Sequence, residues 1–384
     1  MDLSPTAKKN NLLPSNEETQ MTTTFSSSNF VQTATMRSET AEVEATWRIA
    51  ALAFLSVRFI QGFIYWGGGS RRFIYAPSKL NPDATSWMAN KFQTAMPGAL
   101  LGTDHIISYL LQHFWLLYPA VILFSAAELI AGLMLMAGLM TRAAAVISIG
   151  FSIILMLMFG WQGATCIDEW TMAASNLAMG AALMLAGSGA YSVDNILLAH
   201  NPSLANRGWF RWSSGALPLP MSVSGFRNLA FTVLVATVAF NVATYDYYRG
   251  SVYSAFHGGP VSPSKHHVTI DGVALLPDGK LKFHAYLDGG TPASASHIVG
   301  ISILSSDGAV IRRWDMAELS ALPKDAIKND FAYNKFATGP YGLVAKVGAK
   351  AEITLPLAGV AASTNAELRV TTVSGSHFDV AING

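Results

Sequence analysis

Between about residues 46 and 190 apolar positions run in long unbroken stretches, and each stretch has the length that crosses a hydrocarbon layer of roughly 30 Å. The first runs from Trp47 to Trp66 and meets Gly67, Gly68 and Gly69, which are expected to stop the helix. A second covers 115 to 139, within the apolar segment Trp115 to Arg142. A very short turn at Thr141-Arg142 makes the third, about 143 to 160, pack antiparallel to it. The fourth, about 171 to 187, repeats Ala174, Ala178, Ala182 and Ala186, a small-residue stripe that suits close helix contact in lipid. A fifth, about 228 to 245, ends in Tyr245, Tyr247 and Tyr248, an aromatic belt. In the connection 67–114, two weakly amphipathic pieces, 83–95 and 103–114, flank Pro97-Gly98 and predict short helices on the bilayer surface.

From about residue 250 the period changes. Runs such as HHVTIDGVALL, KLKFHAYLD, HIVGISIL, AVIRRW, AEITLPL, ELRVTTV and HFDVAI alternate or are short and β-rich, with Pro277-Asp278-Gly279 and Asp307-Gly308 as turns. About seven such strands in roughly 130 residues predict a β-sandwich. The expected fold is thus a membrane all-α bundle, a four-helix core plus a fifth transmembrane helix, followed by an all-β domain. Its divisions are a disordered polar tail (1–45), the bundle (46–190), a cytoplasmic connection (191–227), helix five (228–248) and the β-sandwich (249–384). The tail has no apolar core of a secretory signal, so the first membrane helix is expected to serve as the targeting signal. With the N-terminus inside, Arg142, Arg207, Arg211 and Arg227 are cytoplasmic, and the 161–170 loop and the β-domain lie outside. This describes a multi-pass membrane protein with its C-terminal domain on the outer side.

Composition agrees: 51% hydrophobic residues, 13% charged and a mean hydropathy of +0.34 describe a membrane protein. The net charge of +1 gives no reason to expect nucleic acid. One cysteine, Cys166, excludes an intrachain disulfide, a CxxC pair, a c-type haem motif and a cysteine-held iron-sulfur cluster.

The chemistry-bearing positions are few. Glu128 lies mid-span, where a carboxylate costs on the order of 3 kcal/mol and asks for a partner. Arg58, at a similar depth on an antiparallel neighbour, is the expected one, either as a register-fixing pair or as part of a functional site. Arg58, Gln61 and Tyr65 share a face, as do Ser125, Glu128 and Gly132. Arg71, Arg72, Lys79 and Lys91 are basic positions of the first connection that either snorkel to headgroups or attract anions. Asn176 is the strongly polar residue of helix four. His266, His267, His284, His297 and His377 lack a short ligand spacing and read as satisfied surface residues, with no metal site.

RFIQGFIYWGGGSRRF, AELIAGLMLMAGLMTRAAAV and GATCIDEWTMAASNLAMGAAL resemble the DoxX-like membrane bundle, specifically its DoxD branch. The segment after about 225, a membrane helix leading into a β-rich domain, resembles DoxA. Together they resemble a fused DoxD-DoxA thiosulfate:quinone oxidoreductase, which implies oxidation of two thiosulfates to tetrathionate with electrons passed to membrane quinone. On that reading Arg71, Arg72 and Lys79, with Lys91, gather thiosulfate, and Gln61, Asn176 and Trp170 hold the quinone. Cys166, Glu128 and Arg58 are the candidate catalytic residues, with Cys166 as a redox relay or, alternatively, a loop residue without chemistry. Quinone is the expected acceptor, without haem or iron-sulfur cluster, and a homo-oligomer is compatible with the sequence. The alternative function is a non-catalytic DoxX-like protein whose β-domain binds an extracytoplasmic partner.

Overall fold

The computed structural model describes residues 42, 44–163, 169–250, 261–359 and 365–382. Most of the expected tail, together with Cys166 and Asp168, lies outside the described residues. The chain becomes helical at α1 (Glu44–Ala53), which meets α2 (Leu55–Ser70) and the π-helical turn Arg71–Tyr75 at a 49° bend. Trp47 of α1 donates its indole N–H to Ala186 O at 2.9 Å.

Contrary to expectation, Gly67 to Gly69 do not end the helix. Gly68 and Gly69, with Gly62 one turn and more earlier, let it lie against α5 (Phe114–Ala137), where side chains would collide. A Cβ at Gly69 would sit 2.6 Å from Leu129 Cβ, one at Gly62 would sit 2.7 Å from Met136 N, and one at Gly68 would meet the Glu128 carboxylate. α5 ends at Gly138 in the left-handed region (φ 69°), and Met140 follows at φ 46°. The turn is therefore Gly138–Met140, and Thr141 and Arg142 already belong to α6 (Thr141–Phe159). α7 (Glu169–Ala186) closes the four-helix core beside α6 and α2. Its packed face is Ala173, Leu177, Gly180 and Ala181, one position off the expected alanine stripe, of which Ala186 alone is buried. Ala178 is exposed, because Gly180 rather than alanine meets Ser148 and Ile149 of α6.

Two short helices, α3 (Met88–Ala95) and α4 (Thr103–Gln112), cap one end of the bundle. At the other end, α8 (Val193–His200) and α9 (Gly208–Ser213) fold against it. There Arg142 is 2% exposed and donates to the carbonyls of Met184, Arg211, Ser214 and Leu217, a buried anchor rather than a charge reaching for headgroups. Asp194 is fully buried and accepts from Met140 N and Gly215 N. α10 (Val223–Arg249) stands outside the core, with no residue of its apolar stretch buried. α5, α6 and α10 are long and apolar enough to cross a bilayer, and the bent α1–α2 pair is so only when taken together, as a broken span or a re-entrant loop.

The C-terminal domain is all β in two sheets, apart from one short helix. One sheet is ordered β1 (His267–Leu276), β2 (Lys280–Gly289), β8 (Lys350–Pro356), β5 (Ile327–Asn329). The other is β10 (His377–Ala381), β9 (Glu367–Thr372), β3 (Ser296–Leu304), β7 (Gly342–Ala345), β6 (Ala337–Gly339), with β4 (Val310–Trp314) also on β3. Alternate residues of β2 and β8 (Leu281, Phe283, Ala285; Ala351, Ile353, Leu355) fill the core. The short helix is α11 (Met316–Ser320), closed by a capping box between Asp315 and Glu318.

The two parts interlock. Trp161, after α6, joins the β-domain core, while Phe331 of the β-domain joins the cap cluster of Trp87, Ile107, Leu117 and Phe159. Between them Gln93, with no exposed surface, accepts from Asn334 N and donates to Asn334 O and Gly348 O, each at 2.8 Å.

Candidate functional site

Where the cap, the bundle and the β-domain meet there is a cavity of about 1110 Å³. Each part contributes a different chemistry. The π turn after α2 brings Arg71 and Arg72, and the 3-10 turn Pro77–Leu80 brings Lys79. α3 supplies Asn90 and Lys91, α5 supplies Glu128, and α7 supplies Glu169 and Asn176. The β-domain adds Asn334 and Lys346. At the bundle end the wall becomes apolar, with Phe63 and Ile64 of α2, Phe124 of α5 and Phe151 of α6. Phe63 and Ile64 are 49% and 37% exposed on the bundle's outer surface, so this end lies against the lateral face of the bundle.

Charge in the cavity is unbalanced. Five cationic side chains line it against two carboxylates, Glu128 and Glu169. Arg72 pairs with Glu128, and Lys91 Nζ lies 2.6 Å from Glu169 Oε1 and 5.1 Å from the Phe159 ring centroid. Arg71, Lys79 and Lys346 have no carboxylate partner among the described residues. Burial, then the neighbouring charges of Arg71, Arg72 and Lys91, hold the Lys79 ammonium below the ordinary lysine pKa. Five cations set against two carboxylates leave a positive field that a small anion would relieve.

The expected Arg58–Glu128 pair does not form. The antiparallel register of α2 and α5 sets Glu128 beside Gly68 and Arg58 beside Gly138. Those positions on α2 differ by ten residues, about 15 Å along a helix axis. Arg58 instead donates to Ser188 O at 2.9 Å and Tyr191 O at 2.8 Å, at the bundle end away from the cavity. Gln61 is fully buried and donates to Ser148 Oγ and Asn176 O. Tyr65, which does line the cavity, donates to Ser148 O and bonds Ser152 Oγ.

Of the positions singled out from sequence for chemistry, Arg71, Arg72, Lys79, Lys91, Glu128 and Asn176 meet in this one cavity. Arg58 and Gln61 lie outside its lining. Trp170 also lies outside it: its N–H donates to Thr244 Oγ1 at 3.0 Å and its ring meets Tyr245 edge-on, pinning α10 to α7. Cys166 lies outside the described residues, but Gly163 and Glu169, on either side of its loop, both line the cavity. Sequence reasoning missed Tyr65 as a lining group, and missed Gln162, Asn334 and Lys346 altogether. No local pattern marks them, since the last two arrive only through the Gln93 junction.

A quinone carbonyl needs a free donor against an apolar wall. Asn176 lines the cavity with Phe151 and Met172; its buried Oδ1 has no partner among the described residues, and its Nδ2, the donor a carbonyl needs, donates to no described residue. The residues present therefore fit a quinone ring. No group of three or more His, Cys, Asp or Glu placed to hold a metal occurs among the described residues. His267 bonds Asp288 at 2.6 Å, and His284 bonds Asp330 at 3.2 Å.

Comparison with known proteins bears on the whole arrangement. A flagellar-like filament structure, Iho670, aligns with 42% of this chain and 98% of its own at 13% identity, with a TM-score of 0.18 that says nothing of the fold. Residues 54–219 match the family described as TQO small subunit DoxD, and residues 248–380 match TQO small subunit DoxA. The first match covers the bundle with α8 and α9, and the second covers the β-domain. With both modules present in N-to-C order, the chain belongs to the DoxD and DoxA families of thiosulfate:quinone oxidoreductase, fused in one polypeptide.

Proposed function

We propose that this chain oxidises thiosulfate to tetrathionate and passes the electrons to a membrane quinone within the 1110 Å³ cavity. The observation that carries this reading is the cavity's two-ended lining. Unpaired cations lie at one end and an apolar, laterally placed wall with a free amide at the other, in a chain of the TQO families. Thiosulfate, a small dianion, binds between Arg71 and Lys79. The quinone ring enters from the bilayer past Phe63 and Ile64 and takes a hydrogen bond from Asn176.

The reaction joins two thiosulfates through a new sulfur-sulfur bond, releasing two electrons, while quinone takes those electrons and two protons to become hydroquinone. Thiosulfate brings no protons at neutral pH, so the protein must deliver them. Glu128, held by Arg72 inside the cavity, is the group placed to do so. In the relay we favour, the Cys166 thiolate adds to the quinone ring, and a thiosulfate sulfur attacks the cysteine sulfur and displaces hydroquinone. A second thiosulfate then releases tetrathionate and restores the thiolate. The cavity mouth and the β-domain face the outside of the cell on this reading.

Anaerobic turnover of the purified chain with thiosulfate and a soluble quinone analogue tests the reading. Hydroquinone and tetrathionate should form in equal amounts, and Cys166→Ser should abolish turnover. Thiosulfate-independent quinone reduction, or none at all, would overturn the proposed reaction. Near-normal turnover of Cys166→Ser would remove the thiol from it.

A further inference from the structure

Beside the main cavity, between α3 and the β-domain, lies a second cavity of about 280 Å³. Thr85, Asn90, Asn334 and Lys346 line both, so the two are neighbouring chambers with a common wall. The smaller one adds Lys335 and Tyr333. Neither Lys335 nor Lys346 has a carboxylate partner among the described residues, and no carboxylate lines this chamber. Both lysines project from fixed backbone. Lys335 follows Asn334, whose side chain donates to Asn90 O and Val347 O, and Lys346 lies between buried Ala345 and Val347. The Gln93 junction clamps the same two loop segments, and Gly348 has no room for a side chain there because a Cβ would meet the Gln93 backbone. The indole N–H of Trp87, a residue 2% exposed that lines the main cavity beside Thr85 and Asn90, has no partner among the described residues.

We infer that this chamber is a second sulfur-oxyanion subsite, built by the β-domain, in which Lys335 and Lys346 with Asn90 and Asn334 hold the second thiosulfate. The inference rests on the function proposed above and goes a step further. Joining two thiosulfates requires two dianions at bonding distance, and each must be neutralised separately against the other's repulsion. Arg71 and Lys79 of the bundle serve one, and Lys335 and Lys346 of the β-domain serve the other. The new bond forms between the two outer sulfurs, and the two electrons reach the quinone through the relay proposed above, in which hydroquinone leaves before the second thiosulfate attacks. Tetrathionate, carrying one terminal sulfonate from each thiosulfate, spans the two subsites and leaves through the β-domain chamber. The β-domain is thus half of the anion site rather than an appended module.

The test is equilibrium binding of radiolabelled thiosulfate to the full-length chain without quinone, paired with initial rates in its presence. Two thiosulfates per chain are expected for the wild type and one for the Lys335→Gln, Lys346→Gln double variant. In turnover the double variant should show an apparent KM for thiosulfate raised about tenfold with a kcat close to wild type. The Lys335→Arg, Lys346→Arg variant should restore both, which a merely structural role of the lysines would not require. One site in the wild type, or unchanged stoichiometry and KM in the glutamine variant, would overturn the subsite. Two sites that respond to the lysines in a protein without thiosulfate-dependent quinone reduction would keep the subsite and overturn the reaction instead.

Discussion

Lys79 titrates below an ordinary lysine because it is partly desolvated and shares its surroundings with Arg71, Arg72 and Lys91. A dianion bound beside it favours the charged ammonium, so affinity is full below the lowered pKa and falls as pH rises through it. The KM for thiosulfate should therefore climb on the alkaline side at a pH below the usual lysine range. Lys79→Gln should raise KM at pH values below that climb, where the wild-type ammonium is charged, and abolish the climb itself, and a pH profile of KM for the two proteins checks it. Glu128→Gln keeps the shape but ends the proton supply and leaves Arg72 unpaired. Its kcat should fall about a hundredfold while the KM for thiosulfate changes little. At this scale the sequence shows which residues are costly in a membrane but not who pairs with whom. Glu128 is conspicuous as an intramembrane acid, yet its partner is Arg72 rather than Arg58, because helix register depends on where glycines allow backbones to touch. Lys335 and Lys346 are unremarked in sequence, because exposed lysines gain meaning only from the cavity beside them.

α2 and α5 show what glycine does at the level of the element. A Cβ at Gly132 would lie 2.7 Å from Gly62 O and closer still to Trp66 N, both backbone atoms that cannot step aside. Gly132→Ala should cost about 2 to 3 kcal/mol and lower Tm. Gly67, with nothing within 4 Å of its would-be Cβ, is the control: Gly67→Ala should be neutral or stabilise by up to about 1 kcal/mol. Equal effects of the two substitutions would contradict the packing described. Long elements were legible because period and length act over many residues, so the span expected at 115–139 is Phe114–Ala137 and the strand expected at 280–288 is Lys280–Gly289. β5, β6 and β7 were not, since three or four residues carry no readable alternation and their pairing with distant strands defines them. The glycine triplet misled for the opposite reason: its local propensity ends helices, and tertiary contact with Leu129 and Glu128 overrides it.

Across the whole molecule the cavity exists only because the β-domain is fastened to the cap, and Gln93 is the fastening. Gln93→Ala leaves the buried Asn334 backbone and Gly348 O without partners, which should cost about 2 to 4 kcal/mol. Gln93→Glu, which sets a carboxylate against two carbonyls, should be worse. Both should raise the KM for thiosulfate by loosening Asn334 and Lys346, and thermal melts with thiosulfate titrations check the pair of effects. The architecture assigns thiosulfate to the basic, domain-bridging end and quinone to the apolar end of one cavity, so the two substrates should be separable by substitution. Initial rates of quinone reduction by the full-length chain in nanodiscs, measured against both substrates, test this most directly. Lys79→Gln should raise the KM for thiosulfate and leave that for quinone unchanged, while Asn176→Leu should do the reverse. The account is contradicted if both variants behave as wild type, or if each substitution shifts both constants alike.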